Sequence, residues 1–595
     1  MQAHDILQGL NAKQQEAVTA IQGPVLILAG AGSGKTRALT HRIAYLIASG
    51  IKPENILAVT FTNKAAGEMK ERVLKLLTTQ YPLPQMGTFH SISLKILRHD
   101  IEAIGYGRNF GIYDVQDQES LMKEVMMGLG LDPKKHNPKT MLTRISELKS
   151  ELIEPEDFVP VEYRDKVLAQ IYSVYQDTLV KNNALDFDDL IGLCVRLFQK
   201  HPGILEKYQE LFRYILIDEY QDTNHAQYVW VNLLAKKYRN IAVVGDDAQS
   251  IYGWRKADIR NILDFEEDYP DAKVVYLEQN YRSTQTILNA ANHLIKNNPS
   301  QKQKNLWTEN DDGEQIIVKE ASNTYEESEY VIQNIKNNST ILYRTHAQSR
   351  AIEEALVRHG MPYRILGGVK FYERREVKDI LAYLRLMVNP DDSVSFKRVA
   401  NVPARGLGPV SLAKKSGPAY EGFAKLLGEL RGKSKELELP AFLKHLFKAL
   451  NYEKYLGEDE ERLENIKELL TAAQGKTLQE FLEEAALMQE TDKLEGGKQL
   501  INLMTIHSAK GLEFPTVFVI GLEDGVFPHS RSLFDPYQLE EERRLCYVAI
   551  TRAQKELHLV FCRQRTLYGS TQLNPPSRFI FEIPEHLVHF IATEY

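Results

Sequence analysis

Cysteine is scarce in this chain: three residues in 595, Cys194, Cys546 and Cys562. They lie too far apart for a metal-ligand or redox spacing and exclude a disulfide framework. Buried thiols in a reducing compartment are the expectation. Long hydrophobic runs are missing too, which argues against a membrane-spanning helix. Near the amino terminus Asp5 and polar neighbours interrupt any apolar stretch. No secretory signal is therefore expected, and the expected location is cytoplasmic. A surplus of positive charge is also lacking: 73 Lys and Arg stand against 80 Asp and Glu, a net charge of −7. That rules out a globally basic nucleic-acid coat but leaves a basic groove open, because the binding field is local. No internal repeat or low-complexity segment stands out. What remains is ordinary for a soluble globular protein, with 43% hydrophobic and 26% charged residues. The length is too great for a single core and implies two to four domains.

The most informative segment is an apolar run that ends in Gly30-Ala31-Gly32-Ser33-Gly34-Lys35-Thr36. Glycines let the backbone curl until several N–H groups point at one anion. Lys35 then reaches the outer phosphates, and the Thr36 hydroxyl can ligate Mg²⁺. The helix-compatible stretch that follows puts its positive dipole end at the same place. Nucleotide hydrolysis is the first hypothesis, with ATP and Mg²⁺ as the expected cofactors.

Around this loop, apolar strands expected at 25–29, 56–60, 214–217, 241–244 and 274–277 alternate with helical stretches. That alternation predicts a parallel sheet covered by helices on both faces. A second set is expected at 315–319, 340–343, 363–366, 501–505 and 516–520. Two charged, helical tracts interrupt them. The fold class is thus α/β, with two parallel-sheet domains that each carry a mainly helical insertion. The expected segments are 1–108 (first domain), 109–186 (its helical insertion), 187–280 (first domain resumed), 281–377 (second domain), 378–501 (its shortened insertion) and 502–595 (second domain resumed).

Ligands of an open α/β sheet sit beyond the carboxyl ends of its strands. Asp218 and Glu219 close one such strand, so Asp218 is placed for Mg²⁺ and Glu219 for orienting or deprotonating the attacking water. Gln249, after another strand, is a candidate sensor of the γ-phosphate. Phosphoryl transfer also needs positive charge from outside the loop, and Arg282 and Arg552 are candidates. If the two domains face each other, both arginines are expected to come from the second. Tyr252, Trp254 and Arg255 put aromatic faces beside a cation, as single-strand binders do. Trp254 reads equally well as a core residue from this segment alone.

Taken together, five motifs resemble those of the UvrD/PcrA/Rep helicases of superfamily one, nearest their PcrA-like branch. They are the loop above, Thr60-Phe61-Thr62-Asn63-Lys64-Ala65-Ala66, Asp218-Glu219-Tyr220-Gln221-Asp222, Gln279-Asn280-Tyr281-Arg282-Ser283 and His507-Ser508-Ala509-Lys510-Gly511-Leu512-Glu513-Phe514. The resemblance runs from about residue 10 to 579. It implies two RecA-like domains with ATP between them, and an ATP-dependent 3′–5′ DNA helicase and single-strand translocase, a DNA-stimulated ATP hydrolase acting in DNA repair or replication. It implies Gln14 and Tyr281 at the adenine, Arg37 in the nucleotide pocket and Glu513 at the ribose. It also implies strand contacts by Phe61, Asn63, Thr88, His90, Phe187, Tyr252, Trp254, Arg255, His346, His507 and Tyr568, with a duplex grip at Arg405, Gly406 and Gly408. His346 stands where the family usually has asparagine, and Tyr568 where it has phenylalanine. The second insertion looks shorter than in the PcrA-type proteins. The extended carboxy-terminal tail that can bind RNA polymerase is not expected here. The expected partners are single-stranded DNA and single-strand/duplex junctions, with no membrane and a monomer able to self-associate on DNA. Two other readings stand beside the helicase: the motor subunit of a helicase–nuclease, and an ATP-gated DNA-binding scaffold.

Overall fold

The computed structural model describes residues 4–77, 82–133, 136–407, 412, 416–457, 459–490, 500–567 and 569–593. Gly408 and Tyr568, both expected at DNA, lie outside the described residues. The chain divides into two compact units. Unit 1 comprises Met1–Arg282 and Asn298–Glu309, and unit 2 comprises Ser283–Asn297 and Asn310–Tyr595. The boundary thus falls after Arg282, not after residue 280. The stretch Asn298–Glu309, expected in the second domain, belongs to unit 1.

Unit 1 is built on a six-stranded, wholly parallel sheet. Its order is Gln85–Thr88, Ile56–Thr60, Tyr214–Ile217, Ile241–Gly245, Val25–Ala29, Lys273–Leu277. The central strands are continuous apolar runs because both faces are covered. Successive side chains point to opposite sides. Leu26, Leu28, Ile215 and Ile217 therefore join one core with Phe89 and Trp230, while Val25, Ile27, Ala29 and Leu216 join another with Ala38 and Leu39. Three helices, Val115–Gly128, Pro138–Ser150 and Tyr163–Lys181, form the insertion. They close on their own core of Met122, Ile171, Tyr172 and Tyr175.

Unit 2 carries a second parallel sheet, ordered Tyr363–Ile365, Ile501–Thr505, Ser339–Tyr343, Phe514–Val519, Ala553–Leu567, Ile316–Asn323, Val588–Ile591. Ser570–Gln572 pairs antiparallel with the end of Ala553–Leu567. The insertion is helical, from Arg375–Val388 to Leu478–Glu490, around Phe371, Ile380, Phe442, Leu446 and Leu469. The two RecA-like α/β bodies agree with the expected fold class. Among the described residues no helix is long and apolar enough to cross a membrane.

Candidate nucleotide and DNA sites

In unit 1 the strands Val25–Ala29, Ile241–Gly245 and Tyr214–Ile217 are neighbours, so the loops after them meet at one edge of the sheet. The phosphate loop leaves Ala29, turns with positive φ at Gly32 (+66°) and Gly34 (+84°), and opens the helix Lys35–Ala48. Its glycines are required by what lies over them. A Cβ on Gly30 would meet Leu306 Cδ2 at 2.1 Å, and one on Gly32 would meet Asn280 Nδ2 at 2.5 Å and Arg282 Cβ at 2.9 Å. Ala31 and Ser33 are buried, and the Ser33 hydroxyl donates to Gly30 O at 2.8 Å. Thr36, in the first helical turn, is half-buried. Arg37 is exposed and donates to Gly9 O at 2.8 Å.

The expected adenine contacts sit beside this loop. Gln14 is buried: its Nε2 donates to Ser33 O at 3.0 Å, and its Oε1 accepts the Asn11 N–H at 3.2 Å. Here its carboxamide braces the loop. The Tyr281 ring is 47% exposed, and its hydroxyl accepts from Asn11 Nδ2 at 2.8 Å and donates to Gln279 Oε1 at 3.0 Å. The ring is thus partly exposed and is tied through its hydroxyl to Asn11.

Asp218 and Glu219 follow the strand Tyr214–Ile217. Asp218 is buried, and its Oδ1 accepts the Glu219 N–H at 3.1 Å. Glu219 adopts the left-handed region (φ 52°), an unusual conformation for a residue with a side chain and a recurrent mark of functional positions. Gln221 Nε2 donates to Glu219 Oε2 at 2.6 Å, while Gln221 Oε1 accepts the Asp246 N–H at 2.9 Å. One buried carboxamide thus ties the Glu219 loop to the next strand end.

That next loop holds Gln249, whose Nε2 donates to Asp246 Oδ2 at 2.7 Å. Lys35 Nζ stands 3.8 Å from the same Asp246 oxygen and donates to Ala29 O at 3.4 Å. Burial alone would raise the Asp246 carboxyl, but the Lys304 and Lys35 ammoniums outweigh it and hold it below the usual carboxylate value. Arg282 sits at the end of unit 1, its N–H donating to Asn280 Oδ1 at 2.7 Å, and Asn280 Nδ2 donates to Ala31 O at 2.6 Å. The expectation that Arg282 comes from the second domain therefore changes: a single asparagine links it to the phosphate loop of unit 1.

In unit 2, Arg552 is 1% exposed. Its guanidinium donates to Val548 O at 3.1 Å, Leu512 O at 3.0 Å and Thr551 Oγ1 at 3.1 Å. Glu513, the expected ribose contact, accepts from Gln554 Nε2 at 3.1 Å, one strand from Arg552.

Three aromatic residues of unit 1 form a row. Phe61 and Tyr252 lie parallel, centroids 6.4 Å apart; Trp254 meets Tyr252 edge-on at 6.4 Å; and Arg255 lies 4.5 Å over the Trp254 ring. Trp254 is 65% exposed, so it is not a core residue. Phe187, half exposed, packs edge-on against His90 at 6.1 Å. Burial depresses the His90 imidazole, which leaves it neutral near pH 7. Asn63 begins an exposed helix turn, and Thr88 caps the helix Phe89–Asp100 by accepting the Ser91 N–H at 3.2 Å.

In unit 2, burial and the nearby Arg374 lower His346 to about 4, so it can offer hydrogen bonds but no charge. His507 is half-buried at the end of the strand Ile501–Thr505. Arg405 spends its guanidinium inside the insertion, donating to Val399 O at 3.1 Å, Pro403 O at 3.0 Å and Tyr383 Oη at 2.7 Å. Its side chain is a brace for the turn at Gly406 (φ +73°), whose backbone is exposed.

Comparison with known proteins adds what geometry alone does not. The family profile described as the UvrD/REP helicase N-terminal domain matches residues 10–270. The UvrD-like helicase C-terminal domain matches 275–415 and 410–564. An ATP-dependent DNA helicase PcrA from Bacillus subtilis (strain 168) is 48% identical over 98% of this chain and 87% of its own length. The chain belongs to the UvrD-like helicases. Proteins of the same name from Staphylococcus aureus (strain Mu50) and Leuconostoc citreum are 45% and 44% identical, over 98% and 99% of the chain and 87% and 86% of their own lengths. This UvrD-like helicase is PcrA-like over nearly its whole length.

Some members of the site carried no motif signal. Asn280 and Gln221 lie inside quoted motifs, yet their bracing roles depend on which loops adjoin. Lys304 lies outside every motif, in the mostly uncharged stretch Gln301-Lys302-Gln303-Lys304-Asn305, and nothing in that pattern marks it. For this helicase the exposed Trp254 ring makes a definite prediction. Trp254→Ala should weaken single-stranded DNA binding by about 1–3 kcal/mol, the cost of one lost stacking platform. The loss should be similar across base sequences, since every base has a stackable face, and binding should fall steeply with salt. Titration of labelled oligonucleotides at two salt concentrations measures both. Parent-like binding and translocation by the variant would remove Trp254 from the strand path.

Proposed function

We propose that this chain uses ATP to move 3′ to 5′ along one DNA strand and to displace the other, as a helicase acting in DNA repair or replication. Membership of the UvrD-like helicases supports ATP-dependent DNA unwinding of the PcrA type, and the polarity, the stimulation of ATP turnover by single strands and the cellular role are added in this proposal. One observation supports it most: Gln249 and the exposed Trp254 belong to a single short segment that begins at Asp246, beside Lys35. A group poised to sense phosphate is thus five residues from a platform for a base, which gives hydrolysis a physical route to the strand.

Chemically, Lys35 and the loop amides hold the phosphates, Glu219 orients the attacking water, and Arg282 and Arg552 offer charge to the transferring group. The residues expected to hold Mg²⁺ fit it: a buried carboxylate at a strand end (Asp218) and a hydroxyl in the first helical turn (Thr36) are the hard oxygen donors this ion takes. Bound there, the ion would neutralise charge developing on the phosphate oxygens.

ATP turnover with and without single-stranded DNA, followed by strand displacement on duplexes with a 3′ or a 5′ tail, tests the reading. Stimulated turnover and displacement of the 3′-tailed duplex alone are expected. Preference for the 5′ tail would reverse the polarity. Turnover without displacement on either duplex would leave an ATP-gated DNA-binding protein instead.

A further inference from the structure

The stretch Asn298–Glu309 returns to unit 1 between two parts of unit 2. It is held against the nucleotide site at several points. Leu306 covers Gly30, Trp307–Thr308 pairs with Gln279–Asn280, and the Thr308 hydroxyl donates to Asn280 O at 2.8 Å. The Lys304 side chain in this stretch is 6% exposed, against 26% for Lys302. The Lys304 ammonium lies 3.2 Å from Asp246 Oδ1 and bonds directly to Asp247 Oδ1, while the Lys302 N–H donates to Asp247 Oδ2 at 2.9 Å. Both aspartates are fully buried.

Buried carboxylates demand compensation, and removing one partner of such a group is far more costly than removing a balanced pair. Among the described residues, two cations stand within 4.0 Å of this pair of aspartates: Lys304 and, on Asp246, Lys35 at 3.8 Å. Lys35 is also the side chain that must reach the phosphates. The more Asp246 depends on Lys35, the harder that transfer becomes. Asp246 in turn accepts the Gln249 amide, so its placement decides where the phosphate sensor points.

We propose that Lys304 is a positioning residue of the nucleotide site: by holding Asp246 and Asp247 it frees Lys35 for the phosphates of ATP and fixes the carboxylate on which Gln249 hangs. The inference rests on the reading of Lys35 as a phosphate ligand. With Lys304 present, departure of Lys35 leaves one uncompensated charge among these groups. Without Lys304 it leaves two. Substituting Asn for Asp247 as well returns the count to one.

The test is titration of a fluorescent ATP analogue with Mg²⁺ in the absence of DNA, alongside steady-state ATP turnover with DNA. Lys304→Met should weaken analogue binding and raise KM for ATP by about tenfold or more, the scale of a close charge coupling, with a smaller effect on kcat. Lys304→Arg, and Lys304→Met combined with Asp247→Asn, should both recover most of the loss. Asp247→Asn alone, which keeps Lys304 and removes one anion, should tighten analogue binding, and it keeps the proposal open to refutation if Lys304→Met does not fold. Parent-like analogue affinity in folded Lys304→Met, failure of the double variant to recover, or weaker binding by Asp247→Asn would each overturn the proposal. A parent that lacks DNA-stimulated turnover would sink the helicase reading while leaving the analogue titration decisive for Lys304.

Discussion

Lys35→Ala is expected to abolish ATP turnover while leaving much of the single-strand binding intact. The two functions use different groups. The Lys35 ammonium bonds Ala29 O and faces Asp246, at the mouth of the phosphate loop. The aromatic row of Phe61, Tyr252 and Trp254 depends on ring stacking and on Arg255, with no part played by Lys35. Oligonucleotide titration should therefore give an affinity near that of the parent, beside turnover at background. Glu219→Gln makes a complementary case. The amide keeps the size of the side chain and an oxygen to accept from Gln221, but it can no longer take a proton from water. The variant should bind ATP and turn over far more slowly. Near-normal hydrolysis by either variant would remove that residue from the chemistry.

Arg282→Ala is expected to lower turnover by about 10³ or more, the scale of a lost arginine that stabilises a transferring phosphoryl group. Its position argues for this. The backbone of Arg282 is fixed by Asn280, whose amide also holds Ala31 of the phosphate loop, so the guanidinium springs from the rim of the loop itself. Arg552→Ala should produce a loss of similar size. Because Arg552 is buried and bonded to main-chain oxygens, Arg552→Lys is the useful companion: it keeps the charge and loses the planar fork. Rapid-quench measurement of the hydrolytic step, with thermal unfolding to confirm the fold, separates a chemical defect from a structural one. Turnover within tenfold of the parent in Arg282→Ala would count against its role.

Much of the architecture was legible because buried parallel strands are continuous apolar runs. The strands Val25–Ala29, Ile56–Thr60 and Tyr214–Ile217 coincide with their apolar runs, and Ile241–Gly245 extends one residue past the run at 241–244. Other strands lack that signature. Gln85–Thr88 contains a glycine and is exposed at its first residue, and Ala553–Leu567 interleaves Lys, Glu, His and Arg with its apolar positions. The latter is an inner strand, paired between Phe514–Val519 and Ile316–Asn323. There Arg565 is buried against Glu327 at 2.7 Å and Glu523 at 2.6 Å, an ion cluster that no local pattern announces.

The sequence by itself determined the chemistry. A glycine-rich loop ending in Lys-Thr, two carboxylates after an apolar run, and a tryptophan five residues beyond a glutamine are local patterns, and their meaning follows from backbone freedom and side-chain type. The tertiary structure decided which of those groups touch. It showed that Trp254 faces solvent, that Arg405 is consumed in bracing its own turn, and that Arg282 is fixed to the phosphate loop. It also brought Lys304 to Asp246 and Asp247, more than fifty residues away along the chain. Contacts of that kind depend on strand order and on where a returning segment docks. Sequence spacing carries no record of either.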